Sequence, residues 1–164
     1  MVKCGEPTGE ATPVGPVCSA AFAQLDVATL YAILQLRGEV FVVEQRCVYR
    51  ELDGRDTEPT ARHLWIATPT GAVCAYLRTL DESDGGTRIG RVVTAPAWRS
   101  RGLADRLVRH VLAEMSGPVV AEAQAHLRHW YEQRGFAVVG PGYDEDGITH
   151  VPMRWDPDAA GGTP

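Results

Sequence analysis

No apolar run in this chain of 164 residues approaches the ~20 residues that a membrane-spanning helix requires. The opening stretch MVKCGEPTGEATPVGPV lacks the apolar centre of a secretory signal, so the expected location is the cytoplasm, off the membrane. Cysteine is scarce and its spacing forms no pairs. Cys4, Cys18, Cys47 and Cys74 contain no C-x-x-C and match no zinc pattern, which leaves reduced thiols, with Cys74 packed in a strand. His63, His126 and His150 make no H-x-H or H-x-x-x-H, with Asp53 or without it, so no metal is expected. The acidic run Asp144-Glu145-Asp146 lacks the spacing of a calcium loop and reads as a solvated turn. Basic excess is missing as well. The net charge is −5 and the pI about 5.5, which argues against nucleic acid as a partner, because a phosphate backbone needs a basic face. A mildly acidic surface suits a cationic amine substrate. No segment repeats.

What is present makes one domain. Hydrophobic residues are 45% and charged residues 23% of the chain, enough to bury a core under a polar surface. Residues 1–17 and 156–164 read as tails around a domain at 18–155. Ser19 to Phe22 reads as an edge strand. Asp26 caps a helix in which Val27, Leu30, Ile33, Leu34 and Leu36 recur at helical spacing through about Val40. Glu44 to Arg62 has no period and reads as a long functional loop. His63–Thr68, Val73–Leu80 and Arg88–Thr94 are strands joined by turns, hence antiparallel. Leu103, Leu107, Val108, Val111, Leu112 and Met115 form one apolar helix face, stopped by Gly117-Pro118. Val119–Ala125 is a buried strand. Leu127, Trp130 and Tyr131 share a helix face that Gly135 ends, and Phe136–Val139 and Ile148–Trp155 are the last strands around a loop at Gly140–Gly147. Arg88–Thr94, Leu103–Met115 and Val119–Ala125 form a strand–helix–strand unit with a right-handed crossover. The fold class is therefore α/β, a mixed sheet with helices on its faces.

Arg99-Ser100-Arg101-Gly102-Leu103-Ala104 sits where that unit passes from strand to helix. Unbonded N–H groups and the dipole at a helix N-terminus favour an anion there. Gly102 permits close backbone approach, and Arg99 and Arg101 add donors suited to phosphate. A pyrophosphate is the fitting ligand.

These residues resemble the GNAT acetyltransferase superfamily, whose Gln/Arg-x-x-Gly-x-Gly/Ala motif is matched by Arg99, Gly102 and Ala104. Trp130-Tyr131-Glu132-Gln133-Arg134-Gly135-Phe136 is similar to the family's second motif on the following helix. The ElaA-like branch is closer still. Its hallmarks are Leu36-Arg37-Gly38-Glu39-Val40-Phe41-Val42-Val43-Glu44-Gln45, then Cys47, Tyr49, Glu51, Asp53-Gly54 and Asp56. Arg62-His63-Leu64, Gln124-Ala125-His126-Leu127 and Tyr143 to Ile148, with His150 and Met153, complete them. The likeness covers Phe22 to Trp155. Val48 departs from it, standing where proline is expected, which bears on loop stiffness.

The resemblance implies the acyl-CoA N-acyltransferase fold, with a central sheet splayed between two parallel strands. It implies acetyl-CoA as co-substrate and a small-molecule or peptide amine as acceptor, and family habit adds a homodimer. It places pantetheine on the backbone of Val92, Val93 and Thr94, and the pyrophosphate on the amides of Arg99, Ser100, Arg101, Gly102, Leu103 and Ala104. Direct attack by the amine is implied, without an acyl-enzyme. A Lys-like amine of pKa ~10.4 costs about 4–5 kcal/mol to present neutral at pH 7, so a base helps. An oxyanion donor near Val93 and a proton donor to the thiolate are also needed. Tyr131 is the expected thiolate donor, with core packing as its alternative role. Glu44, Glu122 and His126 are the candidate bases. Each has a structural alternative: Glu44 paired with Arg46 or Arg37, Glu122 an ion-pair partner, His126 a helix cap. A non-catalytic acetyl-CoA-binding regulatory module is the competing function.

Overall fold

In the computed structural model, which describes residues 13–46 and 50–160, eight strands share one mixed sheet. They are β1 (Cys18–Ala21), β2 (Arg62–Ala67), β3 (Val73–Asp81), β4 (Thr87–Thr94), β5 (Val119–Gln124), β6 (Ala137–Val138), β7 (Tyr143–Glu145) and β8 (Ile148–Trp155). The order is β1-β2-β3-β4-β5-β8-β6, with β7 also on β8. Neighbours run antiparallel except β4 and β5, the parallel pair that the crossover helix demands.

Helix α1 (Val27–Arg37) covers one face and α2 (Leu103–Glu114) the other. Side-chain alternation divides the core accordingly. Ala75 and Leu77 meet Leu107, Val108 and Val111 of α2, whereas Tyr76 and Val93 meet Ile33, Leu36, Val40 and Phe41. Asp26 caps α1 as expected, accepting from Thr29 N–H at 2.9 Å. The short helix α3 (Arg128–Glu132) ends at Gly135, whose φ of +86° suits glycine, and Phe136 N–H returns to Tyr131 O at 3.2 Å to satisfy a free carbonyl.

Several boundaries differ from the sequence reading. The helix expected through Val40 ends as α-helix at Arg37 and widens into a π-helical segment, Gly38–Glu44, closed by Gln45 N–H to Val40 O at 2.9 Å. The widening keeps Val40 and Phe41 on the core. The long loop carries a 3-10 turn at Arg55–Thr57. β5 stops at Gln124, one residue short of the expected end at Ala125, and His126 lies on a 3-10 turn (Ala125–Leu127). The loop expected at Gly140–Gly147 contains β7. The expected N-terminal tail is docked from Pro13 onward at least in part: Gly15 N–H donates to Ala67 O at 2.8 Å, Arg106 binds Gly15 O at 3.0 Å, and Val14 and Val17 pack on the core. A last helix, α4 (Pro157–Ala160), occupies part of the expected C-terminal tail. Cys4, Cys47, Val48 and Tyr49 lie outside the described residues, whereas Cys74 is fully buried as a free thiol in β3. Among the described residues no helix is long and apolar enough to cross a membrane.

Candidate active site

β4 and β5 pair only at Thr87–Val119, Arg88–Val120 and Ile89–Ala121. Beyond that point β4 follows β3 as far as Thr94–Ala75, and β5 follows β8 as far as Gln124–His150. A cleft of about 860 Å³ opens between them. Along its β4 wall, Arg91 and Val92 bulge opposite the single residue Leu77, since Val93 aligns with Tyr76 and Gly90 with Arg78. Arg91 takes φ of +53° there. Val92 therefore has no ladder partner on either side. Ala95 N–H bonds Cys74 O at 2.9 Å, and ladder alternation then turns Val93 N–H toward β3 and Thr94 N–H toward the gap. The N–H that faces the gap is thus that of Thr94 and not that of Val93, the neighbourhood expected to supply an oxyanion donor.

The cleft runs to the start of α2. Ser100 and Gly102 take φ of +60° and +71°, and Gly102 is an N-cap without a side chain to satisfy the helix. The first helical bond is Arg106 N–H to Gly102 O at 3.0 Å, which leaves the N–H groups of Leu103, Ala104 and Asp105 free of backbone partners among the described residues. A Cβ placed on Gly102 meets nothing within 4 Å. Those are the elements of an anion cradle. Asp105, also in that first turn, is offset by Arg134 at 2.7 Å and Arg109 at 2.8 Å.

The two loop arginines are placed otherwise than expected. Arg99 grips Glu44 with both terminal nitrogens at 2.8 Å and donates to Thr94 O at 3.3 Å. Arg101 is not among the residues lining the cleft, and its guanidinium lies 4.8 Å from the Trp98 ring centre. Glu44 thus pairs with Arg99, not with Arg46 or Arg37. Its neighbour Gln45 accepts from Gln124 Nε2 at 3.1 Å, so the end of the π-helical segment is tied to both sides of the gap.

Tyr131, on α3, lines the cleft and is 5% exposed. It stands edge-on to Trp130 and Phe136, with ring centres 4.9 and 5.3 Å away. Its hydroxyl has no hydrogen-bond partner among the described residues, and burial pushes its pKa up to about 12. Packing and an available phenol thus coexist in one side chain.

The three candidate bases all line the cleft but differ in commitment. The Arg99 hydrogen bonds hold Glu44 below the usual carboxylate range and occupy both its oxygens. Glu122 accepts from Arg88 at 3.1 Å and from the Tyr143 hydroxyl at 2.9 Å, with one lone pair left on each oxygen. Burial, then Glu122, pushes Tyr143 up to about 12. His126 is exposed, with no hydrogen bond or ion pair among the described residues.

Sequence reasoning missed the charged group beside the bulge. Arg37, Glu51, Arg91, Asp53, Arg78 and Asp56 contact one another in that order around a closed ring. Burial would raise Asp53 and Asp56, but their arginine partners outweigh it and hold both below the ordinary carboxylate value.

A parallel pair that parts beside an uncapped helix N-terminus leaves an open cleft with anion-favouring amides at one end. Residues 25–157 match the Acetyltransferase (GNAT) domain, and the chain belongs to that family. Within it, this is an ElaA-like member. It is 38% identical to Escherichia coli ElaA over 138 residues, 80% of this chain and 90% of that protein. It is 47% identical over 133 residues to a UPF0039 protein of Mycobacterium tuberculosis, covering 79% of this chain and 85% of the relative. Among solved structures, an acyl-CoA N-acyltransferase from Pseudomonas aeruginosa has a TM-score of 0.79 at 42% identity, over 85% of this chain and 97% of that one. The crystal structure of E. coli ElaA has a TM-score of 0.78 at 35% identity, over 85% and 98%.

Proposed function

We propose that this chain transfers the acetyl group of acetyl-CoA to a primary amine by direct attack on the thioester. The observation that carries this reading is the separation of β4 from β5 after Ile89 and Ala121, with the unsatisfied amides of α2 at one end and Tyr131 facing the space between. The pyrophosphate binds at the N–H groups of Leu103 and Ala104, where the helix dipole adds to the amide bonds. Pantetheine extends β4 as an added strand at Val92 and Thr94. The same edge donates to the oxyanion as the carbonyl carbon becomes tetrahedral. The amine nitrogen bonds to that carbon, the C–S bond breaks, and the thiolate leaves toward the Tyr131 hydroxyl. Glu122 and His126 are the groups placed to take the amine proton, whereas Glu44 is committed to Arg99 and works as a tether.

Gly102→Glu tests the cradle. Its side chain would enter the open space above the glycine and bring a negative charge to the anion site. CoA affinity measured by calorimetry is expected to fall at least tenfold. Gly102→Ala supplies the control, because it carries the strain of a left-handed non-glycine residue, about 1–2 kcal/mol, without bulk or charge. Equal CoA binding by wild type and Gly102→Glu would remove the loop from the site. An amine panel with acetyl-CoA, read by thiol release, then tests catalysis. Tight CoA binding with no thiol release against any amine would favour the regulatory module instead.

A further inference from the structure

The bulge in β4 is set by side chains that sit outside the cofactor loop. A left-handed φ at a non-glycine residue persists only where its surroundings over-determine it. Arg91 meets that condition. Its Nε lies 2.8 Å from Glu51 Oε2 and its Nη2 lies 3.2 Å from Asp53 Oδ2. The same nitrogen reaches the carbonyls of Arg50 and Glu51 at 3.4 and 3.3 Å. Those acids are themselves fixed from the other side. Glu51 binds fully buried Arg37, and Asp53 receives two bonds from Arg78, at 2.8 and 2.6 Å, while Asp56 joins Arg37 to Arg78 at 2.8 and 2.9 Å. Three cations and three anions alternate around the ring, so each charge has two opposite neighbours. The ring spans α1, the long loop, β3 and β4, and Arg91 is its member on the bulge.

We propose that Arg91 is a positioning residue for coenzyme binding, acting through its backbone: the ring of alternating charge fixes the β4 bulge and so aims the main-chain groups of Val92 and Thr94 at the pantetheine arm. This rests on the acyl-CoA reading above. It assigns the loop from Arg50 to Asp56 a task, namely to hold the wall of a site about which its own sequence says nothing.

CoA titrated by calorimetry into wild type, Arg91→Ala, Arg91→Gly and Asp53→Asn separates the alternatives. Arg91→Ala is expected to bind CoA at least tenfold more weakly. Arg91→Gly is expected to behave alike, because glycine permits the bulge conformation without enforcing it. Asp53→Asn keeps the shape of a partly exposed ring member and is expected to lose several-fold. In amide NMR spectra of the free variants, the signals of Val92, Val93 and Thr94 should move while those of Gly102 and Ala104 stay. A lower Tm with wild-type CoA affinity and unmoved signals at Val92–Thr94 would make the ring a purely structural feature and overturn the inference. Should Arg91→Ala not fold, the same two readouts on Asp53→Asn decide. Failure of wild type to bind CoA would instead sink the acyl-CoA reading itself, so the two failures are distinct.

Discussion

Burial changes what Tyr131 can offer a departing thiolate. With its pKa pushed up to about 12, the phenol lies well above an ordinary thiol at ~8.5, and complete proton transfer between them runs uphill by about 5 kcal/mol. In the proposed reaction Tyr131 therefore acts by donating a hydrogen bond as negative charge gathers on sulfur, not by giving up its proton. Such a bond to a charged acceptor contributes about 1.5–3 kcal/mol. Tyr131→Phe should accordingly lower turnover on the order of 10- to 100-fold. CoA affinity should hold within about threefold, since the bond strengthens only as charge develops. The fold should persist, because the edge-on contacts to Trp130 and Phe136 need the ring and not the hydroxyl. Thiol-release kinetics beside calorimetry reads the split. A rise in the CoA dissociation constant with unchanged turnover would assign Tyr131 to ground-state binding.

At the scale of elements, α3 holds Tyr131 only as well as its C-terminus holds α3. Gly135 takes a left-handed φ, and a Cβ added there would lie 3.2 Å from the Trp155 ring. Gly135→Ala should cost about 1–2 kcal/mol from backbone strain, with more from the indole contact, visible as a lower urea midpoint. An unchanged midpoint would show that the turn relaxes without strain. Turns like this one were legible in advance because glycine, the apolar face of α2 and the Asp26 cap are local signals. The strand–helix–strand unit and the Gly102 turn that opens α2 were readable for the same reason. The π-helical run was not: Val40 and Phe41 fit an α-period as well as a wider one, and only the core contacts distinguish them. β7 was hidden because Tyr143-Asp144-Glu145 is exposed and polar on an edge. The pairing within the charged ring was not readable for a different reason: Glu51, Asp53 and Asp56 stood out only as hallmarks in a long functional loop, and their arginine partners lie 14 to 40 residues away in the chain.

For the whole molecule, that ring and the histidine beneath it make stability depend on pH in two stages. His63 is fully buried between the Tyr76 hydroxyl at 2.8 Å and Asp56 O at 3.0 Å. The carbonyl only accepts, so Nε2–H donates to it, and burial favours the neutral ring, in which Nδ1 accepts from the Tyr76 hydroxyl. Burial lowers the His63 pKa further, with the nearby Arg37 and Arg78 adding to the shift against the Asp56 contributions. Below about pH 6.5 the unfolded chain binds a proton that the folded one resists, so stability falls as pH drops toward the folded value. The limiting slope is about 1.4 kcal/mol per pH unit for one such group. Asp53 and Asp56 give the second stage. Their folded pKa values are lowered, so their contribution is complete above about pH 4 and is lost as pH falls below it. Urea midpoints taken from about pH 8 down to about pH 3 should therefore descend in two steps, and His63→Gln should flatten the upper one while leaving the lower. A profile in which His63→Gln keeps the upper step would place the responsible proton elsewhere in the molecule. A shallower lower step with the upper one kept in Asp53→Asn would tie part of that stage to the ring of charge beside the β4 bulge.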